Sequence, residues 1–179
     1  MSWKQYFEKN KGRAVRKLFV QAVSLTCELV SGELTAIDLG CGAGIEAFYL
    51  LSRGWRVVAI DQEESSVSAV NTLTKGHMNE RMTTICSSFE DLVSIPEADL
   101  IFSYHALPFC RQDHFDRLWE MIRQADKPNG TFAGSFFGLN DDWVKSGHAI
   151  GVSKERLDLY FSNFEILQIK EFDKVGDTA

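Results

Sequence analysis

The sequence predicts a doubly wound α/β fold on a mostly parallel sheet, and three observations lead there. Short apolar runs alternate with helical periods along the chain. The first run, Leu34 to Leu39, breaks into a glycine-rich loop that opens directly onto a helical pattern, and the second, Arg56 to Ile60, stops at Asp61. Strands that alternate with helices specify a parallel sheet covered on both faces. Right-handed crossovers leave the doubly wound order as the simplest topology. Ligands bind beyond the carboxyl ends of such strands, so the loops after residues 39, 60, 86, 103 and 137 are expected along one rim.

Residues 13–31 place Val15, Leu18, Phe19, Ala22, Val23, Leu25, Leu29 and Val30 near a helical period. Strand 34–39 follows, then a helix through Ile45 to Leu51 that Gly54 closes. The β-branched run Arg56 to Ile60 reads as a buried strand, and Val67 to Leu73 as an amphipathic helix. Met82 to Cys86 and Asp99 to Ser103 are the third and fourth strands. Phe115, Leu118, Trp119 and Ile122 mark a helix over 112–124, and Lys127-Pro128-Asn129-Gly130 a turn before a fifth strand, 131–137. Ser153 caps a helix through Leu157, Leu159 and Phe161, and Phe164 to Phe172 is the sixth strand.

The 179 residues, 45% hydrophobic, 25% charged and 12% aromatic, suit one globular domain. No apolar run reaches the roughly 20 residues that span a bilayer. The opening residues, Met1 to Glu8, lack the pattern of a secretory signal, which points to the cytoplasm. The four cysteines form no metal-site spacing; Cys27 and Cys86 read as small buried hydrophobes. A net charge of −6 argues against a nucleic-acid partner. The basic stretch Lys4, Lys9, Lys11, Arg13, Arg16, Lys17 reads as a solvated helix face.

Chemistry concentrates in Asp38-Leu39-Gly40-Cys41-Gly42-Ala43-Gly44. Glycine at alternate positions between a buried strand and a helix permits a tight turn and a close ligand approach, beside the unpaired amides of a helix N-terminus. Asp61, at the end of the next strand, is placed to accept hydrogen bonds from two ribose hydroxyls. Dinucleotide folds require G-x-G-x-x-G, and Ile45 stands where that third glycine belongs. Asp38 to Gly44 instead matches D-x-G-x-G-x-G at every fixed position and resembles the first motif of the class I S-adenosylmethionine-dependent methyltransferases, a family with a Rossmann-like fold.

The resemblance covers nearly the whole chain and implies S-adenosyl-L-methionine as cofactor, with S-adenosyl-L-homocysteine as product. It implies backbone contacts from Gly40, Cys41 and Gly42 to the methionine portion, Asp38 toward the ammonium group, Asp61 at the ribose and Gln62 beside the adenine. Where relatives often place an acid for the adenine amino group, this chain has Ser88, a weaker acceptor, followed by Phe89. Asp99 to Phe109 resembles the fourth motif, with Ser103 and Tyr104 bordering the transferring methyl. It is not the N/D-P-P-Y/F type tied to amino-group methylation of nucleic acids and proteins, which favours a small-molecule acceptor.

Within the family the resemblance is to small single-domain enzymes such as tellurite-resistance methyltransferases. Arg13 in the N-terminal helix, placed to pair with the cofactor carboxylate, and Val152 to Phe161 followed by Phe164-Glu165 carry it. The expected organisation is one domain over 1–179, with residues 1–32 a helical segment covering the cofactor and 33–179 the Rossmann-like core. His105 reads either as a general base or acceptor-positioning group or as a pocket-wall histidine, and His148 as a surface residue. Trp3 and Tyr6 read as a lid or as core. The family's seventh, antiparallel strand is expected to be absent or truncated. The sixth would then be an exposed edge, a route to a homodimer. The rival readings are an NAD-dependent oxidoreductase, which Ile45 opposes, and a non-enzymatic binding protein, which Ser88 and the missing strand support.

Overall fold

A computed structural model describes residues 12–75 and 79–173, so Trp3 and Tyr6 lie outside the described residues. Five parallel strands form one sheet in the order β3-β2-β1-β4-β5. They are β1 (Thr35–Leu39), β2 (Arg56–Asp61), β3 (Met82–Cys86), β4 (Ala98–Ser103) and β5 (Asp126–Gly134). The chain turns back across the sheet between β1 and β4, which opens the rim crevice at the ends of those two strands. The doubly wound fold expected from the sequence is therefore present.

The helices are α1 (Lys17–Leu29), α2 (Ile45–Leu51), α3 (Glu64–Thr74), α4 (Gln112–Ala125), α5 (Asp142–Lys145) and α6 (Lys154–Tyr160). Alternate residues of each central strand face opposite layers. Ala36, Leu100 and Phe102 pack with Phe19, Ala22 and Val23 of α1 and with Ala47 and Leu50 of α2. Ile37, Leu39 and Ile101 pack with Phe115, Leu118, Trp119 and Ile122 of α4. In α1 the buried positions Phe19, Ala22, Val23 and Thr26 repeat at the spacing of a single helical face. Beyond α4, Trp119 meets Phe132 and Phe161 edge to face at 5.1 and 4.9 Å. Its indole N–H also donates to the carbonyl of Tyr160 at 3.0 Å, which fixes α6 to this layer.

Several expected elements are corrected. Residues 13–16 are not helical: α1 starts after Arg16, because Gly12 takes a positive φ of 78° and Glu46 accepts the Arg16 amide at 3.3 Å. Lys127 to Gly130 forms no separate turn but a bulge inside β5. The register jumps from Ala98↔Asp126 to Leu100↔Thr131, and Asn129 absorbs the extra length at φ 64°. Cys27 and Cys86 are exposed, on the outer side of α1 and at the end of the edge strand β3, while Cys41 and Cys110 are buried.

The sixth strand does not form: residues 165–173 carry no regular secondary structure. Ile166, Leu167, Ile169 and Phe172 are all more than half exposed, and Lys154 of α6 holds Glu171 at 2.7 Å. β-propensity without a pairing partner does not make a strand. No helix among the described residues is long and apolar enough to cross a membrane.

Candidate active site

The glycine loop hangs on the neighbouring strand: the amides of Gly40 and Cys41 both donate to the Ile60 carbonyl, at 2.8 and 3.1 Å. Gly40 has φ 76°, and a Cβ there would overlap the Cβ of Ala106, so the loop after β1 packs its bare backbone on the Ala106 methyl of the loop after β4. At Gly42 a Cβ would meet nothing within 4 Å; this stretch of backbone faces open space. The Gly42 amide donates to Asp61 Oδ2 and the Glu63 amide to Oδ1, both at 2.9 Å. Asp61 is thus locked at the end of β2 with its remaining lone pairs available to a ligand.

These loops enclose a cavity of about 1010 Å³, its open mouth included. Of the residues expected from the sequence, Arg13, Asp38, Gly40, Cys41, Gly42, Asp61, Gln62, Phe89 and His105 line it. Ser88 and Ser103 do not. The Ser88 hydroxyl donates to Asp91 at 2.7 Å, and Ser103, fully buried, donates to the Leu39 carbonyl at 3.0 Å as a cross-link between β4 and β1. His148 lies outside as well, its Nδ1 2.9 Å from the Ser146 hydroxyl.

Asp38 is only 3% exposed, and its Oδ2 is buried with no partner among the described residues. Burial, then the Glu46 and Asp61 carboxylates, push its carboxyl well above the usual range, while Arg13 and Arg16 oppose the rise. An orphaned buried oxygen costs free energy unless something donates to it. A cationic ligand group lodged here would supply the donor.

Arg13 is engaged within the protein. Its guanidinium grips Glu46, in the first turn of α2, through two bonds of 2.7 and 2.6 Å. Arg16 Nε sits 3.9 Å from the same carboxylate, and its guanidinium lies 4.1 Å above the Tyr104 ring. The two arginines therefore leave the solvated basic face that the sequence suggested and enter the site.

His105, in the loop after β4, adopts φ 54°, unusual for a residue with a side chain. Its amide donates to Ser135 Oγ at 2.8 Å and its ring stacks on Tyr104 at 4.2 Å. One edge of the residue is solvent-exposed, yet desolvation of the ring, with Arg16 nearby, pushes the imidazole down to about 4 against a pull from Asp141. An NMR titration is expected to show this ring neutral down to about pH 5. Between the ordinary 6.5 and about 4 the unfolded chain binds a proton that the folded one refuses. His105 therefore makes stability fall as pH drops through that window and leaves it unchanged above. A midpoint near 6.5 would contradict the packing.

Sequence reading missed Glu46, Arg16, Glu90 and Phe109, all of which line the cavity. Glu90 follows Ser88 by two residues. Burial, the largest single influence, raises its carboxyl, but hydrogen bonds from the Arg111 amide, 2.6 Å from Oε1, from its own amide and from the Cys110 and Ser88 side chains together hold it below the ordinary value. The only sequence signal for it was an acid near the position where one was wanted.

A doubly wound sheet with this glycine loop, carboxylates at the carboxyl ends of β1 and β2, and a shared cavity at the switch point is the architecture of the class I S-adenosylmethionine-dependent methyltransferases. The pattern of the methyltransferase-domain family matches residues 37–134, more than half of the chain, and the protein belongs to that family. It is 30% identical over 98 residues to a cypemycin N-terminal methyltransferase from Streptomyces, covering 54% of this chain and 39% of that protein. To a ubiquinone biosynthesis O-methyltransferase from Rickettsia akari it is 26% identical over 123 residues, 67% of this chain and 45% of that one. The chain thus spans less than half the length of these relatives.

In fold it resembles TehB from Haemophilus influenzae (TM-score 0.74, 19% identity, 96% of this chain and 58% of that one). It also resembles the N-methyltransferase NodS from Bradyrhizobium japonicum, solved with S-adenosylhomocysteine (TM-score 0.66, 13% identity, 90% and 86%).

Proposed function

We propose that the protein is an S-adenosylmethionine-dependent methyltransferase acting on a small-molecule acceptor, in one domain whose N-terminal segment contributes Arg13 and Arg16 to the site. The observation that carries this reading is the convergence of the orphaned Asp38 oxygen, the open Gly42 backbone and the locked Asp61 carboxylate on one cavity. An aminoacyl nucleoside needs those three features in that order: a partner for its ammonium, a bare backbone along its chain, and an acceptor pair for its ribose.

When bound, S-adenosylmethionine would supply an electrophilic methyl on a sulfonium, to be taken in line by the acceptor's nucleophilic atom as the sulfur leaves in S-adenosylhomocysteine. The protein's contribution is placement and exclusion of water. Gln62 and Phe89 flank the adenine end. Glu90 takes the role expected at the Ser88 position, since it lines the cavity with a carboxylate of which only Oε1 accepts the Arg111 amide, and the Ser88 hydroxyl is spent on Asp91. At the other end the tight seam between Gly40 and Ala106 sets the height of the β4 loop over the reacting centre. His105, neutral at physiological pH, offers a ring nitrogen that accepts a hydrogen bond and positions the acceptor; at about 4 it holds a proton too weakly to serve as a strong base. The exposed apolar stretch around Ile166, Leu167 and Ile169 supports a homodimer formed through that segment.

The test is calorimetric titration with S-adenosylhomocysteine, followed by turnover assays over a panel of small thiols, oxyanions, phenols and amines. Micromolar binding and product release with at least one small acceptor are expected. Absence of binding would reject the reading, and binding without turnover across the panel would favour the non-enzymatic alternative.

A further inference from the structure

We propose that Arg16 is an anion clamp for the methyl acceptor, so that the acceptor carries a carboxylate or other oxyanion beside its nucleophilic atom; this rests on the methyltransferase reading above. The two arginines at the mouth share one carboxylate and do not share it equally. Arg13 is satisfied by its two-pronged grip on Glu46 and a third bond of 3.0 Å to the Ala14 carbonyl. Arg16 has only the 3.9 Å approach of its Nε to Glu46, and among the described residues its guanidinium forms no hydrogen bond. A guanidinium carries five donors in a fixed fork that matches an oxyanion. Here the fork is already held in place, with Tyr104 beneath its plane at 4.1 Å and Glu46 at its Nε edge. Side-chain entropy that an anion would otherwise have to overcome is spent in folding.

Position decides which anion. Arg13 touches α2, whose first turn adjoins the glycine loop, and it is the nearer influence on Asp38. Arg16 leans over the β4 loop, and among the charged groups around His105 it has the largest effect. The cavity wall there is Tyr104, His105 and Phe109. Three flat rings beside an unspent guanidinium suit a planar acceptor with an acidic substituent better than a purely apolar or cationic one.

The test uses the full chain with S-adenosylhomocysteine present, titrated with benzoate and with benzamide, its neutral counterpart of the same shape. The unmodified protein is expected to bind benzoate at least about tenfold more tightly, the range of a charge-assisted pair. Arg16→Gln is expected to abolish that preference and Arg16→Lys to keep part of it, with a thermal melt of each variant to show that it is folded. Equal binding of benzoate and benzamide to the parent, or an unchanged preference in Arg16→Gln, would overturn the proposal.

A third result would also overturn it. If Arg16→Gln weakens S-adenosylmethionine but not decarboxylated S-adenosylmethionine, the clamp belongs to the cofactor's own carboxylate. The two titrations are repeated without S-adenosylhomocysteine. If the parent binds no S-adenosylhomocysteine, the methyltransferase reading fails, yet a benzoate preference lost in Arg16→Gln still identifies the anion site.

Discussion

Asp61→Ala is expected to weaken S-adenosylhomocysteine binding by about a hundredfold or more. Two hydroxyl bonds to an ionised carboxylate contribute roughly 1.5 to 3 kcal/mol each, and about 1.4 kcal/mol is a tenfold change in affinity. The carboxylate also anchors the Gly42 and Glu63 amides at 2.9 Å, so its loss loosens the loop along which the ligand lies. Asp61→Asn is not a rescue, because its NH2 group must point at one of those two donors. A thermal melt run beside the titration separates a lost contact from a lost fold. If the variant melts like the parent and binds within threefold of it, the carboxylate has no part in the site.

Glu46→Ala has the largest expected effect on stability. The carboxylate is 3% exposed and balances two guanidinium groups that are themselves only 24% and 23% exposed. Removing one partner of a buried pair costs about 3 to 5 kcal/mol, because the charge left behind stays desolvated. Partial access of water to the arginines brings this to about 2 to 3 kcal/mol. At roughly 2 to 4 °C per kcal/mol for a domain of this size, the melting temperature falls by about 4 to 12 °C. Arg13→Ala alone and combined with Glu46→Ala completes the cycle. The double variant is expected to be less destabilised than the sum of the singles. Strict additivity would show that the pair is a surface contact of no consequence.

Such a pair was invisible in the sequence: Arg13 and Glu46 are 33 residues apart, and nothing in either neighbourhood signals the other. The same holds for Glu90. Ser88 occupies the position where an acid was expected, but its hydroxyl is spent on Asp91, while Glu90, two residues later, lines the cavity with one carboxylate oxygen on the Arg111 amide. Ser103, expected to border the site through its backbone, turns its hydroxyl inward to the Leu39 carbonyl, because side chains alternate along the strand. The sixth strand failed for a different reason. Residues 164–172 have strand propensity, but a strand is defined by its partner, and propensity says nothing about whether one is present.

What the chain determines by itself is local or periodic. The alternation of apolar runs and helical stripes specifies a doubly wound, mostly parallel sheet with helices on both faces, of whose six expected strands five form among the described residues. The spacing of Asp38, Gly40, Gly42, Gly44 and Asp61 specifies a ligand loop at the end of β1 and a carboxylate at the end of β2. These survive because backbone geometry and side-chain period are properties of consecutive residues. The tertiary structure alone decided how the charges meet: Arg13 bonded to Glu46, Arg16 only approaching Glu46 and lying over Tyr104, Asp38 with an unpartnered oxygen, and His105 kept neutral against the Tyr104 ring. Burial and Coulomb interactions depend on distances through space, and only the closed fold sets those distances.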